Sequence, residues 1–241
     1  MLKDADVLQY YLNDAGLRIY QPFLPRLKKI LEEFGMVTVL PGTYEEEEVN
    51  IKEPFMRSKF ADLAEAIASQ HVCGERDNEV FMNIIKYYPE ASAFHELKNY
   101  WCASFVYHCA LEAGLKLPIK QPPYRYRFAG VGTWYQWASD NHFCFYEKDG
   151  FIPSRGDIVI YNNIIPPDNK PNNSPWHDHI GVLLSCEEEY LLMAEGNINN
   201  QNVSGLIKRK RDHTIGCFVR IPDHFEYDGW TCDYKAYLKT L

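Results

Sequence analysis

Cys102 and His179 are the two residues of this 241-residue chain whose types and positions could together perform thiol chemistry. Cys102 lies near the start of a segment, Trp101 to Gly114, whose apolar residues recur at helical spacing. A thiol at a helix N-terminus feels the positive end of the helix dipole, and a nearby imidazolium favours its thiolate further. The position therefore predicts a nucleophilic cysteine, and its alternative role is that of a small buried core residue.

His179 begins an apolar run. An acidic turn at residues 187–189 follows it, and a second apolar run comes after the turn. With the turn centred on Glu187, this pattern predicts an antiparallel hairpin in which His179 lies directly opposite Glu195. A slip of two residues in the register places Asn197 opposite His179 instead. Either side chain could hold the second ring nitrogen and so orient the imidazole as a general base. Glu195 and Asn197 both stay candidates for that role.

Four stretches around these residues follow one another in a fixed order, namely Tyr100 to Val106 (YWCASFV), Pro153 to Val159 (PSRGDIV), His179 to Val182 (HIGV) and Glu195 to Asn197 (EGN). In this order they resemble the CHAP family of cysteine amidases and endopeptidases and its NlpC-type relatives, over about residues 60 to 222. The resemblance implies a papain-like fold, with Cys102 as nucleophile, His179 as base, and Glu195 with Asn197 as the orienting polar pair.

The resemblance also implies a reaction, the hydrolysis of amide bonds in peptidoglycan. The bond is either the one that joins glycan to peptide, as for an N-acetylmuramoyl-L-alanine amidase, or one within the peptides, as for an endopeptidase. The Cys102 thiolate attacks the carbonyl, His179 protonates the leaving amine, and water hydrolyses the thioester. We expect the backbone N–H of Cys102 to contribute to the oxyanion hole. Two alternatives remain: a thiol hydrolase of proteins or small amides, and a non-catalytic module that binds a glycan or a partner.

The elements that must position these residues change in type along the chain. Helical spacing marks residues 60–68, 80–85 and 101–114, whereas strand-like segments occupy residues 157–161, 180–186, 190–194 and 215–221. Helices followed by an antiparallel sheet predict an α+β fold, with the nucleophile helix packed on the sheet. We expect an N-terminal helical extension over residues 1–55 and a catalytic domain over residues 56–241.

Three aromatic residues are predicted to contact substrate. Tyr100 and Trp101 immediately precede the nucleophile, and Trp176 lies in a Pro/Asn-rich loop before His179. Aromatic side chains offer large apolar faces to sugars and peptides.

Composition and charge exclude several other functions. A net charge of −8 argues against a nucleic-acid partner. The basic run Lys208 to Arg211 is interpreted as a solvated edge just before a strand. Seven cysteines without a CxxC pair indicate neither a disulfide framework nor a zinc ribbon, and we expect no metal and no cofactor. The partner expected is peptidoglycan or a peptide substrate, and the sequence predicts no oligomeric state.

No apolar run approaches the roughly 20 residues of a membrane span. The acidic residues at the N-terminus differ from the basic start of a signal peptide. We therefore expect a chain that is cytoplasmic as written, or one that is exported or released to act on the cell wall.

Overall fold

A computed structural model describes residues 54–88, 93–121, 126–164 and 177–227. All but the last two residues of the predicted N-terminal extension lie outside these ranges. That extension, with its boundary near residue 55, stays a prediction.

Five α-helices occupy the described ranges, and the first, fourth and fifth of them contact the sheet. The five are α1 (Arg57–Ala68), α2 (Glu79–Ile85), α3 (Ala93–Leu97), α4 (Cys102–Glu112) and α5 (Val131–Asp140). Helix α4 is buried along nearly its whole length because its residues are almost all apolar. It ends where Gly114 takes a left-handed conformation with φ of 100°. None of the helices in the described ranges is long and apolar enough to cross a membrane.

The strands form a two-stranded ribbon and a six-stranded antiparallel sheet. The ribbon joins β1 (Lys120–Gln121) to β2 (Tyr126–Arg127). The strands of the sheet are β3 (Cys144–Phe145), β4 (Ile158–Asn162), β5 (His177–Cys186), β6 (Tyr190–Glu195), β7 (Gly205–Lys210) and β8 (Ile215–Val219). Their order across the sheet is β3-β8-β4-β5-β6-β7. Helices packed on an antiparallel sheet confirm the predicted α+β class and are consistent with a papain-like arrangement.

The two faces of the sheet belong to different apolar clusters. Ile160 and Val182 pack with the helices in the large core, whereas Val159, Leu183 and Phe218 belong to a smaller cluster on the opposite face. This division follows from the alternation of side chains along a strand.

Strand β7 was not predicted, and it corrects the interpretation of the basic run that begins at Lys208. Residues 208–210 lie within β7 rather than before a strand. The edge position was correctly inferred, because β7 is the last strand in the sheet order.

Candidate active site

Cys102 is the first residue of α4, and only 7% of its surface is exposed. Trp101 occupies the N-cap position, and no side chain in the described part of the chain caps this helix. The backbone N–H groups of the first helical turn therefore have no capping side chain as a partner, and they point toward the region in front of the thiol.

His179 lies on β5 and is almost fully buried. Its Nε2 lies 2.8 Å from Oε2 of Glu195, at the end of β6. The thiol of Cys102 lies close enough to the imidazole to contribute to raising the pKa of His179. Because Glu195 occupies Nε2, Nδ1 is the ring nitrogen that remains for the thiol. The structure thus brings Cys102, His179 and Glu195 together in one line of contacts.

The register by which Glu195 reaches His179 differs from the predicted one. Val182 pairs with Ala194. Continued by one residue, this register places Gly181, and not His179, opposite Glu195. The slip of two residues is therefore the observed pairing, yet the side chain of Glu195 crosses diagonally to the imidazole. A Cβ atom at Gly181 would lie 2.7 Å from Cγ of Glu195. The absence of a side chain at Gly181 leaves the space through which Glu195 passes.

Arg209, on β7, is a member of this site that the sequence analysis missed. Its Nε and Nη2 donate to Oε1 and Oε2 of Glu195 at 3.0 and 2.6 Å, a bidentate contact. Its Nη1 donates to Oδ1 of Asn199 at 2.9 Å. The alternation of side chains along a strand could have identified this residue in the basic run. Residues 208 and 210 lie on one face of the strand, and Arg209 lies on the other.

The charges of these groups favour an ionised pair. Burial lowers the pKa of His179, but the carboxylate of Glu195 and the contact with Cys102 outweigh burial and raise it above its ordinary value. Burial raises the pKa of Glu195, whereas His179 and then Arg209 lower it, and the net shift is downward. The arrangement thus stabilises an imidazolium next to the thiol of Cys102, held by an ionised carboxylate.

Residues 95–197 match the family model of the CHAP domain. These residues are therefore similar to a CHAP domain, and the match supports the predicted family. The family is of the peptidoglycan-hydrolase type, and its members are typically amidases or peptidases that depend on a cysteine and a histidine. The matched range includes Cys102, His179, Glu195 and Asn197, and Arg209 lies beyond it. No curated protein matches the chain, and no solved structure does.

Asn197 binds the backbone just before Cys102. It follows β6 in a left-handed conformation with φ of 54°. Its Nδ2 donates to the carbonyl oxygen of Asn99, and its Oδ1 accepts from the backbone N–H of Asn202 at 3.0 Å. Of the two candidates for orienting the imidazole, Glu195 is the one that contacts His179.

The aromatic residues predicted to contact substrate have different surroundings. Trp101 is fully buried and packs edge to face on Phe81, with ring centroids 5.2 Å apart. This is a correction: the ring of Trp101 belongs to the core beneath Cys102 and offers no surface to a substrate. Tyr100 is 56% exposed, so its predicted contact stays open. Trp176 lies outside the described residues.

The close approach of β6 to α4 depends on Gly196. A Cβ atom there would lie 2.6 Å from Cβ of Phe105 and 2.8 Å from two ring atoms of Trp101. Gly196 therefore allows the strand end that carries Glu195 to contact the start of the nucleophile helix.

Proposed function

We propose that this chain is a cysteine hydrolase that cleaves amide bonds in peptidoglycan, with Cys102 as nucleophile and His179 as general base. One observation carries the proposal: Cys102, His179, Glu195 and Arg209 form an unbroken series of contacts in a chain that matches the CHAP domain. In the proposed reactive state, a thiolate, an imidazolium, a carboxylate and a guanidinium alternate in sign, so the series has no net charge. Alternating charges offset the cost of removing each group from water.

Each group has a separate task in the proposed reaction. The Cys102 thiolate attacks the amide carbonyl, and N–H groups of the first turn of α4 stabilise the oxyanion that forms. The His179 imidazolium donates its Nδ1 proton to the leaving amine, and the neutral ring then activates the water that hydrolyses the thioester. Glu195 keeps Nε2 protonated and the ring in place, and Arg209 holds Glu195.

Digestion of purified peptidoglycan sacculi tests the substrate. The wild type is expected to release fragments with new amino termini, identified by mass spectrometry, and Cys102→Ala is expected to release none. Cys73→Ala serves as the control because Cys73 is an exposed cysteine remote in sequence from the nucleophile. The position of each new amino terminus separates an amidase from an endopeptidase. Equal release by the wild type and Cys102→Ala, or no release by either, would overturn the proposed substrate.

Alkylation by iodoacetamide tests the activated thiol without any substrate. Exposure alone favours Cys73, which is exposed, over Cys102, which is buried. An imidazolium-paired thiolate reverses this order at mildly acidic pH, where ordinary thiols are protonated. We expect Cys102 to react first at pH 6 and to lose this advantage in His179→Ala, as measured by peptide mass spectrometry. Faster labelling of Cys73 at that pH in the wild type would contradict the mechanism.

A further inference from the structure

The loop that follows β6 carries an asparagine, Asn202, whose side chain reaches the segment before the nucleophile. Its Oδ1 accepts from the backbone N–H of Asn99 at 3.2 Å and from the indole Nε1–H of Trp101 at 3.0 Å. Its Nδ2 donates to the carbonyl oxygen of Gly74 at 2.9 Å. One side-chain amide therefore joins two segments that are distant in sequence.

The segment held by Asn202 has a backbone conformation that is unfavourable for an ordinary residue. Asn99 has φ of 69° and lies three residues before Cys102. Its N–H is bound by Asn202 and its carbonyl oxygen by Asn197, so two side chains of a single loop fix both polar groups of this peptide backbone. Left-handed conformations outside glycine persist where surrounding contacts enforce them, and such positions cluster at functional sites.

Asn202 is itself fixed by the chain that follows α1. The backbone N–H of Gly74 donates to the carbonyl oxygen of Asn202 at 2.8 Å, and Cys73 forms an isolated antiparallel bridge with Val203. A Cβ atom at Gly74 would lie 2.0 Å from Oδ1 of Asn202, which shows how closely the amide fits against this backbone. The amide is therefore held on both sides.

We propose that Asn202 is a positioning residue for the nucleophile, which fixes Asn99 and Trp101 so that Cys102 meets His179. The inference rests on the proposed function. The loop that bears Asn202 begins directly after Glu195, so the same short stretch holds the orienting carboxylate of the base and the approach to the thiol. Loss of the amide leaves two N–H groups without their acceptor and releases the backbone at Asn99.

Two variants separate positioning from a purely structural role. Asn202→Ala removes both the acceptor and the donor, whereas Asn202→Asp keeps the acceptor for Asn99 and Trp101 and loses only the donor to Gly74. Gln201→Ala is the control, since Gln201 is the preceding residue of the same loop and its side chain is exposed. The readout is the rate of Cys102 alkylation by iodoacetamide at pH 6, corrected for the folded fraction of each variant.

We expect alkylation to slow about tenfold or more in Asn202→Ala, because small displacements of reacting groups cost large factors in rate. Asn202→Asp should stay within about threefold of the wild type even if it is less stable, since the acceptor is what positions the nucleophile. Equal rates in Asn202→Ala and Gln201→Ala, or rates that follow stability alone, would overturn the proposal.

The outcome is distinguishable from that of the proposed function because alkylation requires no peptidoglycan. If sacculi remain intact while alkylation depends on Asn202, the positioning role stands and the proposed substrate is overturned. If Cys102 of the wild type has no advantage over Cys73, both are overturned.

Discussion

Glu195 and Asp157 are both fully buried, and each carboxylate accepts two hydrogen bonds from one arginine. Arg209 donates to the two oxygens of Glu195 at 3.0 and 2.6 Å, and Arg220 donates to those of Asp157 at 2.8 and 2.6 Å. The difference lies in the next neighbour. Glu195 also contacts His179, whereas Asp157 also contacts Arg57, at 3.4 Å.

Each carboxylate belongs to a series of four neighbouring groups. The site series is Cys102, His179, Glu195 and Arg209, and the second series is Asp223, Arg57, Asp157 and Arg220. The cations of the second series are both guanidinium groups, which stay protonated in proteins, so this series can hold structure but cannot transfer protons near neutral pH. Both series thus have a buried carboxylate and ion pairs. Only the site series also has an imidazole and a thiol, the groups that proton transfer and nucleophilic attack require.

The largest expected effect comes from neutralising each buried carboxylate. Glu195→Gln should reduce Cys102-dependent activity on sacculi by about 1,000-fold or more, because the imidazole loses the group that fixes its tautomer and stabilises its charge. Asp157→Asn should leave the activity per folded molecule within about threefold of the wild type and should lower the free energy of unfolding by about 3 kcal/mol. Activity assays and urea unfolding on the two variants measure both quantities.

The stability of Glu195→Gln is the control for this comparison, since Arg209 loses its charged partner there too. Both variants should be destabilised, and only one should be inactive when folded. A folded Glu195→Gln protein with wild-type activity would remove the distinction between the two series.

Next in size is the effect of adding a methyl group beside each series. A Cβ atom at Gly181 would lie 2.7 Å from Cγ of Glu195, and one at Gly156 would lie 2.5 Å from the carbonyl oxygen of Arg57. Gly156 also has φ of 86°, so an alanine there is strained by conformation as well. Gly181→Ala should reduce activity about 10- to 100-fold by displacing Glu195 from His179.

Gly156→Ala should instead lower the free energy of unfolding by about 2 to 3 kcal/mol with little change in the activity of the folded fraction. Activity per folded molecule, measured side by side, checks the pair. The reverse ranking would mean that the second series controls the site.

The elements around the site were predictable from the sequence where one periodicity dominates. Helix α4 and strands β4, β5, β6 and β8 were predicted to within a few residues, because their apolar patterns are uninterrupted. Strand β7 was missed because consecutive basic residues hide a period of two. Arg209 is brought to the site because it pairs with Leu191 on β6. The sequence of one segment does not show which residues of another strand it will pair with.

The hairpin register could not be predicted for a related reason. The prediction centred the turn on Glu187, whereas Cys186 pairs with Leu191, so the turn is centred between residues 188 and 189. An irregularity between Leu183 and Ser185 then shifts the pairing by only one position, so His179 does not lie opposite Glu195. Glu195, one of the two candidates, still reaches His179 because its long side chain can span the diagonal.

A smaller effect is expected from pH, and it distinguishes the two series directly. The raised pKa of His179 means that its contribution to stability is complete below about pH 6.5, the ordinary value of an unfolded histidine, and is lost as the pH rises through the folded value. The lowered pKa of Glu195 means that its contribution is present above about pH 4.3 and is lost in acid. The site series therefore stabilises the fold most between these two values.

The measurement is urea unfolding of Cys102→Ala and of Cys102→Ala/His179→Gln, in which the site thiol no longer titrates. The stability advantage of the histidine-containing protein should fall by about 1 kcal/mol or more between pH 6 and pH 9. An advantage that grows over this range would show that burial, rather than Glu195, dominates at His179. Arg57→Gln, compared with the wild type, should show no such trend, since the guanidinium keeps its charge.

The smallest effects are expected from the aromatic neighbours of each series. The ring of Tyr161 lies 6.2 Å from that of His179 and faces the guanidinium of Arg209 at 6.0 Å, while Phe151 faces that of Arg220 at 4.3 Å. The buried hydroxyl of Tyr161 has no hydrogen-bond partner in the described part of the chain. Tyr161→Phe should thus leave activity within about twofold and raise the free energy of unfolding by up to about 1 kcal/mol.

Tyr161→Leu tests the ring itself, which offers its face to an imidazolium and a guanidinium. We expect activity to fall about three- to tenfold, because a cation loses about 1 kcal/mol of stabilisation when the aromatic face beside it is removed. Phe151→Leu is the matched change beside Arg220, and it should lower stability by a similar amount without altering the activity of the folded protein. Equal loss of activity in the two leucine variants would mean that the aromatic faces support the fold alone, because only the ring of Tyr161 lies against a group that could transfer a proton.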